Sequence, residues 1–200
     1  MRATSRGNHS SSTRGSGLAE EGTTMFENGA IREKSDRYII AVIDGPNMSS
    51  LGRRSKKVYG ALASLAGLQQ QVRAFGEILG VEVETFDSNH EGFILEYIHD
   101  AGERVDGFII NPAGLTTKGE GVRHALEDTG RPVIEVHFSN IQASAGADRG
   151  LGGGQIQSSF THTATGLSMG MRHYSYFGAL TALVLGLDDE SFLGVPAADS

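Results

Sequence analysis

Four short runs rich in Val and Ile punctuate the chain: YIIAVI at 38–43, VEVETF at 81–86, GFIIN at 107–111 and PVIEVHF at 132–138. Each is brief and bounded by turn-forming residues, which predicts strands. Between them the apolar period changes. Leu62, Leu65, Leu68, Val72, Phe75 and Leu79 recur every three or four positions, the spacing of one helical face, and Gly80 supplies a stop. A second helix is predicted over 91–103, with Phe93, Ile94, Tyr97 and Ile98 on its apolar side. A third covers 119–128 and is stopped by Gly130, and a last covers 176–187. That last helix, FGALTALVLGL, is apolar nearly all round, so it is expected to be buried or to face another subunit. Ser88 and Glu91 stand at capping-box spacing, which predicts Ser88 as the N-cap of the second helix. Strands alternating with helices imply βαβ units and a parallel sheet. The expected class is a three-layer α/β sandwich with strand order 2-1-3-4-5, a further strand or turn near segment 145–169 taking the fifth place.

Composition narrows the organisation. Residues 1–36 mix Ser, Gly, Thr and both charges with few large apolar groups, so they are expected to form a disordered extension, order beginning at Tyr38. Residues 37–195 then make a single domain with an insertion at about 145–169. A formal charge of −7 and the lack of a long basic block argue against nucleic acid and anionic lipid as partners. The chain has no cysteine, which removes thiolate nucleophiles and thiolate metal sites and fits a reducing cytoplasm. No apolar run approaches the roughly 20 residues of a membrane span.

In sheets of this class ligands bind beyond the carboxyl ends of the strands. After the first strand, DGPNMSSLGRRSKKVYG is far longer than an ordinary strand-to-helix connection and carries Asn47, the cations Arg53, Arg54, Lys56 and Lys57, and Tyr59. A lid and a solvated basic loop are both open readings, as are packing and chemistry for Tyr59. In the fourth run Glu135, His137 and Ser139 alternate with Ile134, Val136 and Phe138, so the polar three share a face. A parallel strand is normally apolar on both sides. The polar row is either a structural network or a carboxylate orienting a histidine with a hydroxyl at the mouth. Asn111, in NPAG, reads as a turn residue or as a ligand group at the same rim.

Together GPN, LG-R-R, YG, SNHEG, INPAG and EVHFSN, in this order, resemble type II 3-dehydroquinate dehydratase from 38 to 140, and the likeness resumes weakly at RHYSY, 172–176. The resemblance implies a flavodoxin-like fold and a lyase that eliminates water from 3-dehydroquinate, giving 3-dehydroshikimate through an enolate, with neither metal nor cofactor. It implies Tyr59 as general base with Arg54 stabilising its phenolate, Asn47 holding the water at the enolate, and His137 as acid held by Glu135. Asn111, Ser139 and the Phe138 backbone N–H would grip the substrate carboxylate, and Arg172 would reach a ring hydroxyl. It further implies a homo-oligomer, trimer-based and up to a dodecamer, acting in shikimate biosynthesis or quinate catabolism, and the cysteine-free composition without a secretory start or membrane span sets the expectation of a cytoplasmic enzyme.

The departures fall on the groups for distal hydroxyls. Thr117 stands where the family has a histidine, His124 where it has an aspartate reaching across a subunit boundary, and Ser144 where it has an arginine. Such changes move substrate choice, because a buried polar site discriminates strongly on hydroxyls. A sibling dehydratase acting on a differently substituted cyclic hydroxy-ketone acid is therefore the first alternative, and a non-catalytic flavodoxin-like module the second. His162, inside the insertion, is either a replacement ligand group or a surface histidine.

Overall fold

In the computed structural model, residues 31–32, 36–53, 62, 64–143 and 156–194 are described. All elements fall in the unit Arg32–Ser200. The five strands are β1 (Ile39–Asp44), β2 (Glu82–Asp87), β3 (Gly107–Asn111), β4 (Val133–His137) and β5 (Gly166–Met169), and they pair in the order β2-β1-β3-β4-β5. Every pairing is parallel. The helices are α1 (Leu65–Ile78), α2 (Glu91–Ala101), α3 (Glu120–Asp128) and α4 (Tyr174–Asp188). The flavodoxin-like sandwich and its strand order are as the alternation of periods predicts, and β5 comes from the last residues of segment 145–169.

The period-two pattern of the strands feeds two cores. Ile40, Val42, Ile109, Ile134 and Val136 meet α1 and α4 on one face, through Leu68, Val72, Leu180 and Leu183. Ala41, Ile43, Phe108, Ile110 and Val133 meet α2 and α3 on the other, through Ile94, Ile98, Val122 and Leu126. Strands buried on both faces explain the near-continuous apolar runs of β1 and β3. The apolar helix α4 owes its composition to this core, where Tyr176, Leu180, Leu183 and Val184 are all fully covered.

Helix ends follow local chemistry. Ser64 caps α1 by accepting the Gly67 N–H at 3.1 Å, so that helix begins after Leu62 rather than at it. Gly80, at φ +72°, and Gly130, at φ +63°, take the left-handed turn that lets the chain leave α1 and α3. The capping box predicted at Ser88 does not form. The N-cap of α2 is His90, and the Ser88 hydroxyl instead accepts the N–H of His90 at 2.9 Å, a local turn that competes with the cap. Arg32, inside the stretch composition assigns to the extension, pairs with Asp188 at 2.6 Å and lies over the Tyr38 ring. A guanidinium that finds a carboxylate and a ring together offsets the entropy that composition alone weighs against it.

Candidate active site

The order of the sheet reverses at β1, so the connections after β1 and β3 diverge from neighbouring strand ends and open a crevice there. They are held together by backbone bonds from Gly45 N–H to the Asn111 carbonyl at 2.8 Å and from Gly114 N–H to the Pro46 carbonyl at 3.1 Å. Into this crevice opens a cavity of about 260 Å³, lined by Asn47, Met48, Asn111, Thr116, Thr117, His137, Phe138 and Ser139, with Ile141 and Ile156 on its apolar side. The scale suits a small molecule.

His137 ends β4 on the face shared with Glu135, as the alternation predicts, and both are buried. Its Nε2 lies 2.6 Å from Glu135 Oε1. Burial pushes the Glu135 carboxyl up, but hydrogen bonds from His137, Ser158 and Thr161 and the charge of His137 outweigh it, and the group sits below its ordinary range. An ionised carboxylate only accepts, so Nε2 carries the hydrogen and Nδ1 is left as the acid–base atom.

Asn47 adopts φ +77°, a conformation Asn tolerates better than most residues. Its N–H donates to Asn89 Oδ1 at 2.8 Å, and Asn89 Nδ2 donates to Ser49 Oγ at 3.1 Å, so the SNHEG stretch braces the start of the long loop. Beyond a short turn at Met48–Arg53 that loop runs into residues not described, and Tyr59, Arg54 and Ser144 lie outside the described residues.

Asn111 is buried at the cavity wall and committed to its surroundings: Nδ2 donates to Tyr176 Oη at 2.8 Å, and Oδ1 accepts the Ala113 N–H at 3.2 Å. The turn role and the rim position thus coexist. Tyr176 in turn donates to Asp44 Oδ1 at 2.5 Å. Asp44 ends β1 directly beside Asp87 of β2, fully buried, and Oδ2 has no hydrogen-bond partner among the described residues. Burial, then the neighbouring Asp87 charge, pushes its carboxyl up to about 7 against the pull of the Tyr176 and Asn111 bonds. Burial also raises the Tyr176 phenol well above its ordinary value.

The fold therefore brings Asn47, Asn111, Thr117, His137, Phe138 and Ser139 to one cavity with Glu135 behind. It does not bring His124 or Arg172 there. His124 is exposed on α3 in contact with Arg123. Arg172, at φ +55°, is exposed, and its N–H donates to the Phe138 carbonyl at 2.9 Å, so its backbone rather than its visible placement ties the α4 approach to the end of β4. His162 is exposed and does not line the cavity. Sequence reasoning missed Thr161, Ser158, Asp44 and Tyr176. Asp44 carried a signal, a carboxylate closing an otherwise apolar central strand, while Thr161 carried none.

Comparison with known proteins points to one family. The family model Dehydroquinase class II matches residues 38–184. The chain is 46% identical over 102 residues to a 3-dehydroquinate dehydratase of Halothermothrix orenii, spanning 51% of this chain and 68% of that one. It is 35% identical over 154 residues to Catabolic 3-dehydroquinase 1 of Neosartorya fischeri, spanning 77% and 97%. The crystal structure of type II dehydroquinase from Butyrivibrio crossotus superposes with a TM-score of 0.66 at 31% identity, over 74% of this chain and 97% of that one. With the match running from the first strand into α4, the chain belongs to the dehydroquinase class II family.

Proposed function

We propose that this protein is a hydro-lyase that converts 3-dehydroquinate to 3-dehydroshikimate, with His137 as the acid that delivers a proton to the departing hydroxyl. The observation that carries this reading is the buried Glu135–His137 pair at the cavity, which holds the ring by Nε2 and leaves Nδ1 for transfer. Tyr59 takes the proton from the carbon beside the ketone. A phenol of ordinary pKa about 10 serves as a base near neutrality only beside a cation, and Arg54 supplies that charge. The C–H electron pair becomes an enolate, met by a water that Asn47 holds. The enolate then expels the neighbouring hydroxyl, protonated by His137, on the opposite face. Ser139 and the Phe138 N–H bind the carboxylate, against the cavity wall that Asn111 forms. The route draws on the chain's own groups and one held water. Its setting is a cytoplasmic, trimer-based homo-oligomer.

One observation favours the sibling reading: Thr117 lines the cavity and Ile141 and Ile156 make part of its wall apolar, where a substrate rich in hydroxyls gains little. The assay follows enone absorbance when purified protein meets 3-dehydroquinate. Turnover that drops by at least about 100-fold in His137→Ala and in Tyr59→Phe is expected. No turnover at high enzyme concentration rejects 3-dehydroquinate as substrate, and turnover of an analogue lacking a ring hydroxyl then establishes the sibling.

A further inference from the structure

Glu135 is held from a second side, by a stretch that the resemblance treats as an insertion. Its Oε1 takes the His137 hydrogen at 2.6 Å, and its Oε2 takes the Thr161 hydroxyl at 2.5 Å. Ser158, whose hydroxyl oxygen accepts the Phe160 N–H at 3.1 Å, lies close enough to the same carboxylate to favour its charged form. The stretch itself is pinned at three points. Ser159 N–H donates to the Thr116 carbonyl at 2.8 Å, Phe160 is buried in the core, and Thr165 N–H donates to the Val133 carbonyl at 2.8 Å.

An ion in a dry interior costs several kcal/mol unless its lone pairs are filled. Among the described residues the remaining surroundings of Glu135 offer no such help. Its registered neighbours are Ile110 on β3 and Leu167 on β5. Helix α3 turns Val122, Ala125 and Leu126 inward, while Arg123 pairs with Glu120 and Glu127. His162, beside Thr161, is exposed. Among the described residues the titratable group acting on Glu135 is His137.

We propose that Thr161, seconded by Ser158, is a positioning residue for the proton transfer: its hydroxyl keeps Glu135 an anion, which holds Nε2–H of His137 and directs Nδ1–H to the leaving oxygen. This rests on His137 being the acid. In the step the Nδ1–H bond breaks and an O–H bond forms. The carbon–oxygen pair leaves with water, the enolate pair becomes the new C=C bond, and the imidazole ends neutral with its hydrogen still on Nε2.

The test is kcat and KM against pH for the full chain with Thr161→Val, Thr161→Ser, Ser158→Ala and His137→Ala. Thr161→Val should lower kcat about tenfold, the worth of one hydrogen bond to a charged group, with KM within about twofold. It should also move the high-pH limb of kcat to lower pH, because a less firmly anionic Glu135 lets the imidazolium lose its proton sooner. Thr161→Ser should restore both. A Thr161→Val enzyme with the parent kcat and limb, or a defect that serine fails to repair, overturns the proposal. Should valine impair folding, Ser158→Ala decides: a limb moved in the same direction supports the proposal and an unmoved one overturns it. A dead His137→Ala beside a silent Thr161→Val sinks the positioning role alone, whereas an active His137→Ala removes the acid reading and this proposal with it.

Discussion

Asp44 is the residue whose chemistry most clearly opposes its position. A carboxyl in the centre of the sheet, beside Asp87 and with one oxygen unpaired among the described residues, prefers its proton, and its folded pKa rises from 3.8 to about 7. In the unfolded chain it ionises near its ordinary value. Between about pH 4 and pH 7 the folded state therefore binds more protons than the unfolded state, and stability falls as pH rises through that window. Above it the loss is complete and level, at most about 4 kcal/mol. Asp44→Asn keeps an oxygen for the Tyr176 hydroxyl and cannot ionise. Its melting temperature should match the parent's near pH 4 and exceed it by a widening margin up to pH 7. A margin that stays constant across thermal melts from pH 4 to pH 8 would show that Asp44 titrates normally.

At the scale of elements, the anchor between segment 156–165 and the rest of the fold is a ring against a glycine. A Cβ on Gly119, just before α3, would lie 2.7 Å from Phe160 Cζ and 2.9 Å from Leu115 Cβ, both in packed surroundings. Gly119→Ala should cost roughly 1–3 kcal/mol by overpacking and, by displacing Phe160, should disturb Thr161 and lower kcat. Gly121, two positions on and inside α3, makes a useful contrast, since its Cβ would approach nothing closer than Glu91 Oε1 at 3.4 Å. Gly121→Ala should stabilise by up to about 1 kcal/mol through helix propensity. Urea denaturation of both variants checks the pair, and equal shifts would mean that Phe160 yields freely.

The same contrast explains what could be read beforehand. The strands β1 to β4 and all four helices were legible because burial imposes periods of two and three to four on the residues themselves, as in Glu135, His137 and their apolar alternates. β5 was not recognisable by composition, since GLSM is short and half-exposed at an edge and owes its pairing to β4. Thr161 meets Glu135 across 26 positions of chain, a contact made by tertiary packing with no local signature. Ser88 failed for the opposite reason: the capping signal was present, but the hydroxyl had a nearer backbone donor.

For the whole molecule the question is whether one chain holds a complete site. The two edges of the sheet differ. β2 presents Glu82 and Glu84 near its start, charges that discourage strand pairing, whereas β5 carries the partly exposed Leu167 and is followed by exposed Met171 and Tyr174. An apolar corner of this kind is where another copy is expected to pack, in keeping with the homo-oligomer proposed above. His124 points to the same need. It lies off its own chain's cavity, so a role at the distal end of a substrate requires delivery from a neighbouring copy. Light scattering should give a mass several times that of one chain, and Met171→Asp with Tyr174→Asp should reduce it. On dilution, specific activity should fall over the same concentrations at which the assembly dissociates, and His124→Ala should raise KM in the assembled enzyme. Constant specific activity through dissociation would mean that each chain is catalytically complete, and that His124 acts, if anywhere, on the surface of α3.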